Sequence, residues 1–321
     1  MVGTKGFAPL TSSMSKKRST PELSARFRIL YYLLSPTSAK LRSSVYLGAH
    51  VSISGGFDKC LDRIVNLGGN CLMTFASPPR TLKTKNFSAA EIADYLRKKA
   101  EYKLGPHFFH ASYLINLASE SSAYVKASIA SVIYYQRLAG TINAQGTILH
   151  IGSHKGQGLT ATINQIVASV NYILDSSPKG IKLILENTAG QGGTVGVTFE
   201  ELSEIIKRVG DRSKIGICLD TQHAFASGYQ LGTALERFDR QIGLKFLSVI
   251  HLNDSATDFA SRRDRHANLG EGKIGLENLR DFIDKCKSAT KICPPLILEV
   301  PGDNHTGPRK TDLDILKSLA N

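Results

Sequence analysis

The sequence predicts an α/β protein whose strands close into a (β/α)8 barrel, a TIM barrel, on three observations. Beyond residue 44, short apolar segments rich in β-branched and aromatic residues alternate with longer segments of helical period, the pattern of βα units on a parallel sheet. Eight of each can be drawn between residues 45 and 321, and a barrel of this kind needs roughly 250 residues. Ionisable residues recur at the C-terminal ends of the strand-like segments, where a barrel gathers its loops. A doubly wound open sheet is the alternative, but it leaves edges that a barrel closes.

In chain order the strands are expected at 45–50 (VYLGAH), 71–76 (CLMTFA), 105–110 (GPHFFH), 147–152 (TILHIG), 182–187 (KLILEN), 215–220 (IGICLD), 246–252 (FLSVIHL) and 295–300 (PLILEV). The helices lie between them. The clearest covers 163–174, where Ile163, Ile166, Val167, Val170, Ile173 and Leu174 form one apolar stripe at helical spacing. Others are expected after Ser54, Ser88, Glu120, Thr198, Gly232, Gly275 and Lys310. There is no internal repeat, and the one candidate linker is the junction at Ser43 and Ser44. A single catalytic domain over 45–321 is therefore expected, preceded by an extension over 1–44.

Composition narrows the class. With 42% hydrophobic and 21% charged residues the chain suits a globular protein, and its longest apolar run, Ile29 to Leu34, is far below the roughly 18 residues of a membrane span. Five cysteines (Cys60, Cys71, Cys218, Cys286, Cys293), odd in number and without a C-x-x-C pair, argue for a reducing, intracellular setting; nucleus, mitochondrion and cytoplasm remain open. The net charge of +13 points to a phosphate polymer as partner. Residues 1–44 supply +7 of it, with eight Lys or Arg against the single acid Glu22. That basic, Ser-rich segment reads equally as a flexible tail, as a targeting address, or as the result of a start upstream of Met14.

The chemistry lies at the strand ends. His50 closes the first segment, His110 the third, His150 the fourth, Glu186 the fifth, Asp220 the sixth, His251 the seventh and Glu299 the eighth. Two loops add His223, in D-T-Q-H, and Asp264 and His266, in R-R-D-R-H. A lone strand-end histidine is usually structural; ten such residues at one mouth are not. No serine or cysteine sits in a G-x-S-x-G elbow, and a pair of catalytic carboxylates would not need so many imidazoles. Imidazoles mixed with carboxylates favour zinc over manganese or iron. At about three to four ligands per ion with one carboxylate shared, nine side chains suffice for three ions. Glu186, having two oxygens, is the candidate bridge.

Five segments carry a resemblance. H-A-S-Y-L-I-N-L (110–117), L-I-L-E-N-T-A-G-Q-G (183–192), C-L-D-T-Q-H-A-F-A-S-G-Y (218–229), H-L-N-D-S (251–255) and D-R-H-A-N-L-G-E-G-K-I-G (264–275) resemble the signatures of the endonuclease IV family of apurinic/apyrimidinic (AP) endonucleases. The resemblance runs from about Tyr46 to Glu299. It implies a barrel with three Zn2+ ions that cuts double-stranded DNA on the 5′ side of abasic sites, acts as a monomer, and also cleans 3′ ends. It makes His110 and His150 look like ligands of one zinc, sharing Glu186 with a second that also takes Asp220, His251 and Glu299. His223, Asp264 and His266 look like the ligands of the third, and His50 like a partner of a ligand. Tyr113, Leu114 and Arg80 look like residues that contact or enter the duplex at the lesion. The chain departs from the family pattern at Ile151, where relatives have proline, in the segment 74–82, after which relatives commonly carry an aromatic whereas this chain has no Trp at all, and in E-V-P-G-D-N-H after the last strand.

Two rival readings remain at the level of sequence. A metal-dependent sugar isomerase or epimerase uses the same strand ends on a related barrel, and a non-catalytic abasic-DNA-binding protein would keep the fold without the reaction. The set His223, Asp264 and His266 and the basic balance weigh against the first. The full ligand set weighs against the second.

Overall fold

The computed structural model describes residues 45–321, so the expectations for 1–44 fall outside the described residues. Eight parallel strands close into a barrel: β1 (Leu47–His50), β2 (Cys71–Phe75), β3 (His107–His110), β4 (Gly146–Leu149), β5 (Lys182–Glu186), β6 (Ile215–Asp220), β7 (Leu247–His251) and β10 (Leu296–Leu298). β10 pairs with β1 and β7 and completes the ring. Every expected strand is present, most of them shorter than drawn. Pro106 and Pro295 have no N–H to give the ladder, so β3 and β10 start one residue later, at His107 and Leu296.

The helices are α1 (Lys59–Leu67), α2 (Ala89–Glu101), α3 (Ser122–Thr141), α4 (Leu159–Asp175), α5 (Phe199–Arg208), α6 (Thr221–Ser227), α7 (Leu231–Gln241), α8 (Leu276–Ala289) and α9 (Lys310–Ala320). Local chemistry sets their starts. Ser88 and Glu91 form a capping box on α2, and Ser121 and Thr198 cap α3 and α5 through their hydroxyls. α4 buries Ile163, Ile166, Val170, Ile173 and Leu174, which is the expected stripe save for a partly buried Val167.

Two elements correct the sequence reading. D-T-Q-H is no loop: Asp220 ends β6 and caps α6, accepting the backbone N–H of His223 at 2.8 Å. The segment after β7 is likewise ordered, with β8 (Asp254–Ser255) pairing antiparallel to β9 (His266–Ala267). Seven residues and two residues are too few to reveal a period.

The strand period of two then builds the site. Cys71, Met73, Phe108, Ile148, Ile184, Cys218, Val249 and Ile297 point into the barrel and fill it as one buried cluster. Gly48 occupies the matching place on β1, where a Cβ would lie 2.1 Å from the Cys71 carbonyl oxygen. Two residues further along, on the same face, stand His50, Phe75, His110, His150, Glu186, Asp220, His251 and Glu299. An apolar plug thus carries a polar layer. Alternate residues, such as Leu72, Phe109, Leu183 and Leu219, face outward into the larger core under the helices. His107, three residues before His110, takes that outer side and is bonded there to Tyr95 and Thr74.

Candidate metal centre

Glu186 is fully buried at the centre of the polar layer, with imidazoles around it. Its Oε2 lies 3.2 Å from His110 Nε2 and 3.3 Å from His150 Nε2, and its Oε1 lies 2.8 Å from His251 Nδ1. Glu299 Oε2 approaches the same His251 nitrogen at 3.0 Å. On the far side, Asp264 Oδ1 lies 3.3 Å from His223 Nε2 and 3.6 Å from His266 Nε2. Asp220 stands between the two halves, 3.8 Å from His251 and 3.7 Å from His266.

Among the described residues, three groups made only of imidazoles and carboxylates are compact enough to hold an ion, each with its atoms within 4.8 Å of one another: His110, His150 and Glu186; Glu186, Asp220, His251 and Glu299; and Asp220, His223 and His266. Asp220 therefore belongs geometrically to two groups, a sharing that the sequence reading gave to Glu186 alone. A fourth group pairs Glu186 and His251 with Cys218, a residue of the apolar plug that the sequence reading did not single out.

The donors fit a divalent cation on independent grounds. Among the described residues the ion-pair partners of these four carboxylates are all histidines, and no lysine or arginine there offsets their charge. Burial pushes the Glu186 carboxyl up, yet the surrounding His150 and His251 outweigh it and hold the group well below the usual carboxylate range. Glu299 behaves alike, with His251 as the chief opposing charge. Burial lowers His223, but Asp220 and Asp264 reverse that and raise it to about 10. The Nε2 atoms of His223 and His266, which face the ligand groups, are buried without a hydrogen-bond partner. Concentrated negative charge and orphaned imidazole nitrogens are what a metal site shows when its protein atoms are considered alone.

Ring orientation is fixed from behind. His110 Nδ1 meets the Ala111 carbonyl at 2.8 Å, His223 Nδ1 the Asn187 carbonyl at 2.9 Å, and His266 Nδ1 the Glu299 carbonyl at 3.1 Å, which turns each Nε2 to the site. His50 Nδ1 bonds Glu299 Oε1 at 2.8 Å, and its ring lies 4.4 Å from that of Phe75. Asn187 and Asn253, unnoticed in the sequence, bond Asp220 directly. Asp254, also unnoticed, is buried and accepts backbone N–H groups from Gly270, Gly272, Ile274 and Gly275, shaping the return from β9 to α8.

Two clefts of about 820 and 720 Å3 open over the layer, and Tyr113, His150 and Asp264 line both. Tyr113 is 58% and Leu114 40% exposed, large apolar groups presented to solvent at the rim between them. Arg80 is exposed on the loop after β2, and the lining of neither cleft includes it. Lys85, from the same loop, lines the larger cleft instead.

A closed eight-stranded barrel with clustered imidazoles and carboxylates at its mouth defines the xylose isomerase-like TIM barrels, and the family model of that description matches residues 61–319. Within that class the chain belongs to the endonuclease IV family. It is 41% identical over 264 residues to a probable endonuclease 4 of Halothermothrix orenii, covering 79% of this chain and 93% of the relative. A probable endonuclease 4 of Thermosipho melanesiensis is 36% identical, with 81% and 94% covered. Among solved structures, endonuclease IV from Thermus thermophilus superposes with a TM-score of 0.73 at 30% identity, over 85% of this chain and 97% of that one. A D-tagatose 3-epimerase-like protein reaches 0.68 at 19% identity, over 85% and 96%, which is a likeness of fold alone. Among the described residues no helix is long and apolar enough to cross a membrane.

Proposed function

We propose that the chain is a zinc-dependent AP endonuclease of base excision repair. It hydrolyses the phosphodiester bond 5′ to an abasic site in double-stranded DNA, leaves a 3′-hydroxyl and a 5′-deoxyribose phosphate, and removes blocked 3′ ends at the same site. The observation that carries this reading is the third group, His223 and His266 with Asp220 and Asp264 beside them, in a chain of the endonuclease IV family. A sugar epimerase needs one or two ions, and the chain shares only its fold with such enzymes.

Three zinc ions would be held by His110, His150 and Glu186; by Glu186, Asp220, His251 and Glu299; and by His223, Asp264 and His266. When bound, zinc supplies Lewis-acid stabilisation of charge on a phosphodiester and activates water near neutral pH. Glu186 directs its two oxygens to different groups and holds them at a fixed separation. His50 orients Glu299. Tyr113 and Leu114 fill the gap that an extruded abasic nucleotide leaves in the stack, and exposed Lys85, Arg262, Arg263 and Arg265 meet phosphates. The enzyme works as a monomer, with residues 45–321 as its catalytic unit.

Elemental analysis of purified protein, paired with cleavage of a duplex carrying one abasic site, tests the reading. Three zincs per chain and a 3′-hydroxyl product are expected. Glu186→Gln should keep the fold and lose roughly two or more orders of magnitude in cleavage, since a neutral amide is a poor shared ligand. Near-normal turnover in that variant with unchanged metal content would refute the role of Glu186, and a wild-type chain with one metal and no cleavage would refute the function.

A further inference from the structure

We propose that Asn253 is a positioning residue of the centre, fixing Asp220 and Glu299 against each other so that an ion can be held between the ends of β6 and β10. The proposal rests on the metal-dependent reading above and assigns a role to a residue that binds neither metal nor substrate.

Asn253 lies two residues beyond β7 and is wholly buried. Its Oδ1 accepts the backbone N–H of Glu299 at 2.8 Å. A backbone N–H only donates, so this contact sets the orientation of the amide, and Nδ2 must face the other way. There it donates to Asp220 Oδ2 at 2.6 Å. The main chain of Asn253 is anchored as well: the Thr221 hydroxyl donates to its carbonyl at 2.7 Å and accepts from its N–H at 2.8 Å. Thr221 is the neighbour of Asp220. One amide thus ties the loop after β7 to the ends of β6 and β10. The residues it joins are two of the four in the group Glu186, Asp220, His251 and Glu299.

The choice of an amide follows from charge. The other Asp220 oxygen, Oδ1, accepts the backbone N–H of His223 at 2.8 Å, so each oxygen of this carboxylate has one neutral donor. The remaining lone pairs are left for the interior of the site, where His251 and His266 stand. Lysine or arginine would hold Asp220 as firmly, but its charge would repel the cations that the layer collects. Asn187 secures the main chain of Asp220 separately, accepting its N–H at 2.7 Å and donating to its carbonyl at 3.2 Å. Loss of the Asn253 side chain should therefore release the Asp220 carboxylate and the Glu299 backbone while β6 stays in place.

Two substitutions separate the functions. Asn253→Asp keeps an acceptor for the Glu299 N–H but sets an anion against Asp220 Oδ2, and Asn253→Ala removes both contacts. Zinc content would be measured by elemental analysis after dialysis against graded chelator, together with the melting temperature of the metal-free proteins and kcat and KM on an abasic duplex. Both variants should retain metal-free melting close to wild type. They should release about one zinc per chain at chelator concentrations roughly 10- to 100-fold lower than wild type does. kcat should fall with KM nearly unchanged. An Asp variant with wild-type zinc content and chelator resistance overturns the proposal, and so does zinc loss that merely tracks a lowered metal-free melting temperature. A wild-type chain that holds no zinc overturns the metal-dependent reading itself, whereas zinc-loaded wild type with indistinguishable variants overturns only the role of Asn253.

Discussion

At the scale of single residues, the proposed function makes lesion choice separable from chemistry. Tyr113 and Leu114 stand exposed at the rim, while every group around Glu186 lies in the layer below. Extruding a normal base loses its pairing and stacking, whereas an abasic sugar has neither to lose, so the same wedge favours the damaged site. Tyr113→Ala combined with Leu114→Ala should leave zinc content and stability unchanged. It should lower the ratio of abasic to undamaged affinity by about 1–3 kcal/mol. Binding to matched duplexes with and without an abasic analogue measures that ratio, and an unchanged value would return both residues to ordinary packing. Residue identity was legible in the sequence wherever charge stood out against an apolar strand, as at Glu186 and Asp220. Asn187 and Asn253 were not legible, because an asparagine beside a strand end is unremarkable until its partners, from residues distant in sequence, are brought to it by the barrel.

At the scale of elements, the barrel was readable because strand and helix periods differ and each segment was long enough to show its own. α6 and the β8–β9 ribbon escaped for the opposite reason, and with them the fact that His223 stands on a helix and His266 on a strand. Packing between helices rests partly on charge. Lys98 on α2 reaches Asp58 at 2.9 Å and Asp62 at 2.6 Å, joining α2 to the start of α1, and its hydrogen bonds hold both carboxyls below their usual range. Lowered carboxylate values mean stabilisation that is full above the unfolded value near ~3.9 and lost as pH falls through the folded one. Lys98→Met should therefore cost on the order of 1 kcal/mol at neutral pH, for a solvent-screened network. In melting temperature that is roughly 2–4 °C. The difference should narrow only once pH falls below about 4 and close below the lowered folded values. Thermal scans of metal-free protein over that range test it, and a constant difference would assign the effect to packing of the lysine stem.

At the scale of the whole molecule, residues Val45–Asn321 form one compact unit, and it holds the metal-capable groups found among the described residues. A chain beginning at Val45 should fold, retain its zinc and cleave abasic duplex at low salt. Its affinity for undamaged DNA should depend less steeply on salt, because up to seven net positive charges are gone. A salt series on both chains decides the matter, and failure of the shorter one to fold would make the extension part of the core. Function at this scale also depends on what the barrel does not let through. The eight apolar side chains beneath the ligand layer stopper it from below, so the centre behaves as a vessel that opens upward, through the two clefts above it. On the proposed function, a severed strand would leave on the same side from which the duplex arrives, so a duplex still in place would act as the cork.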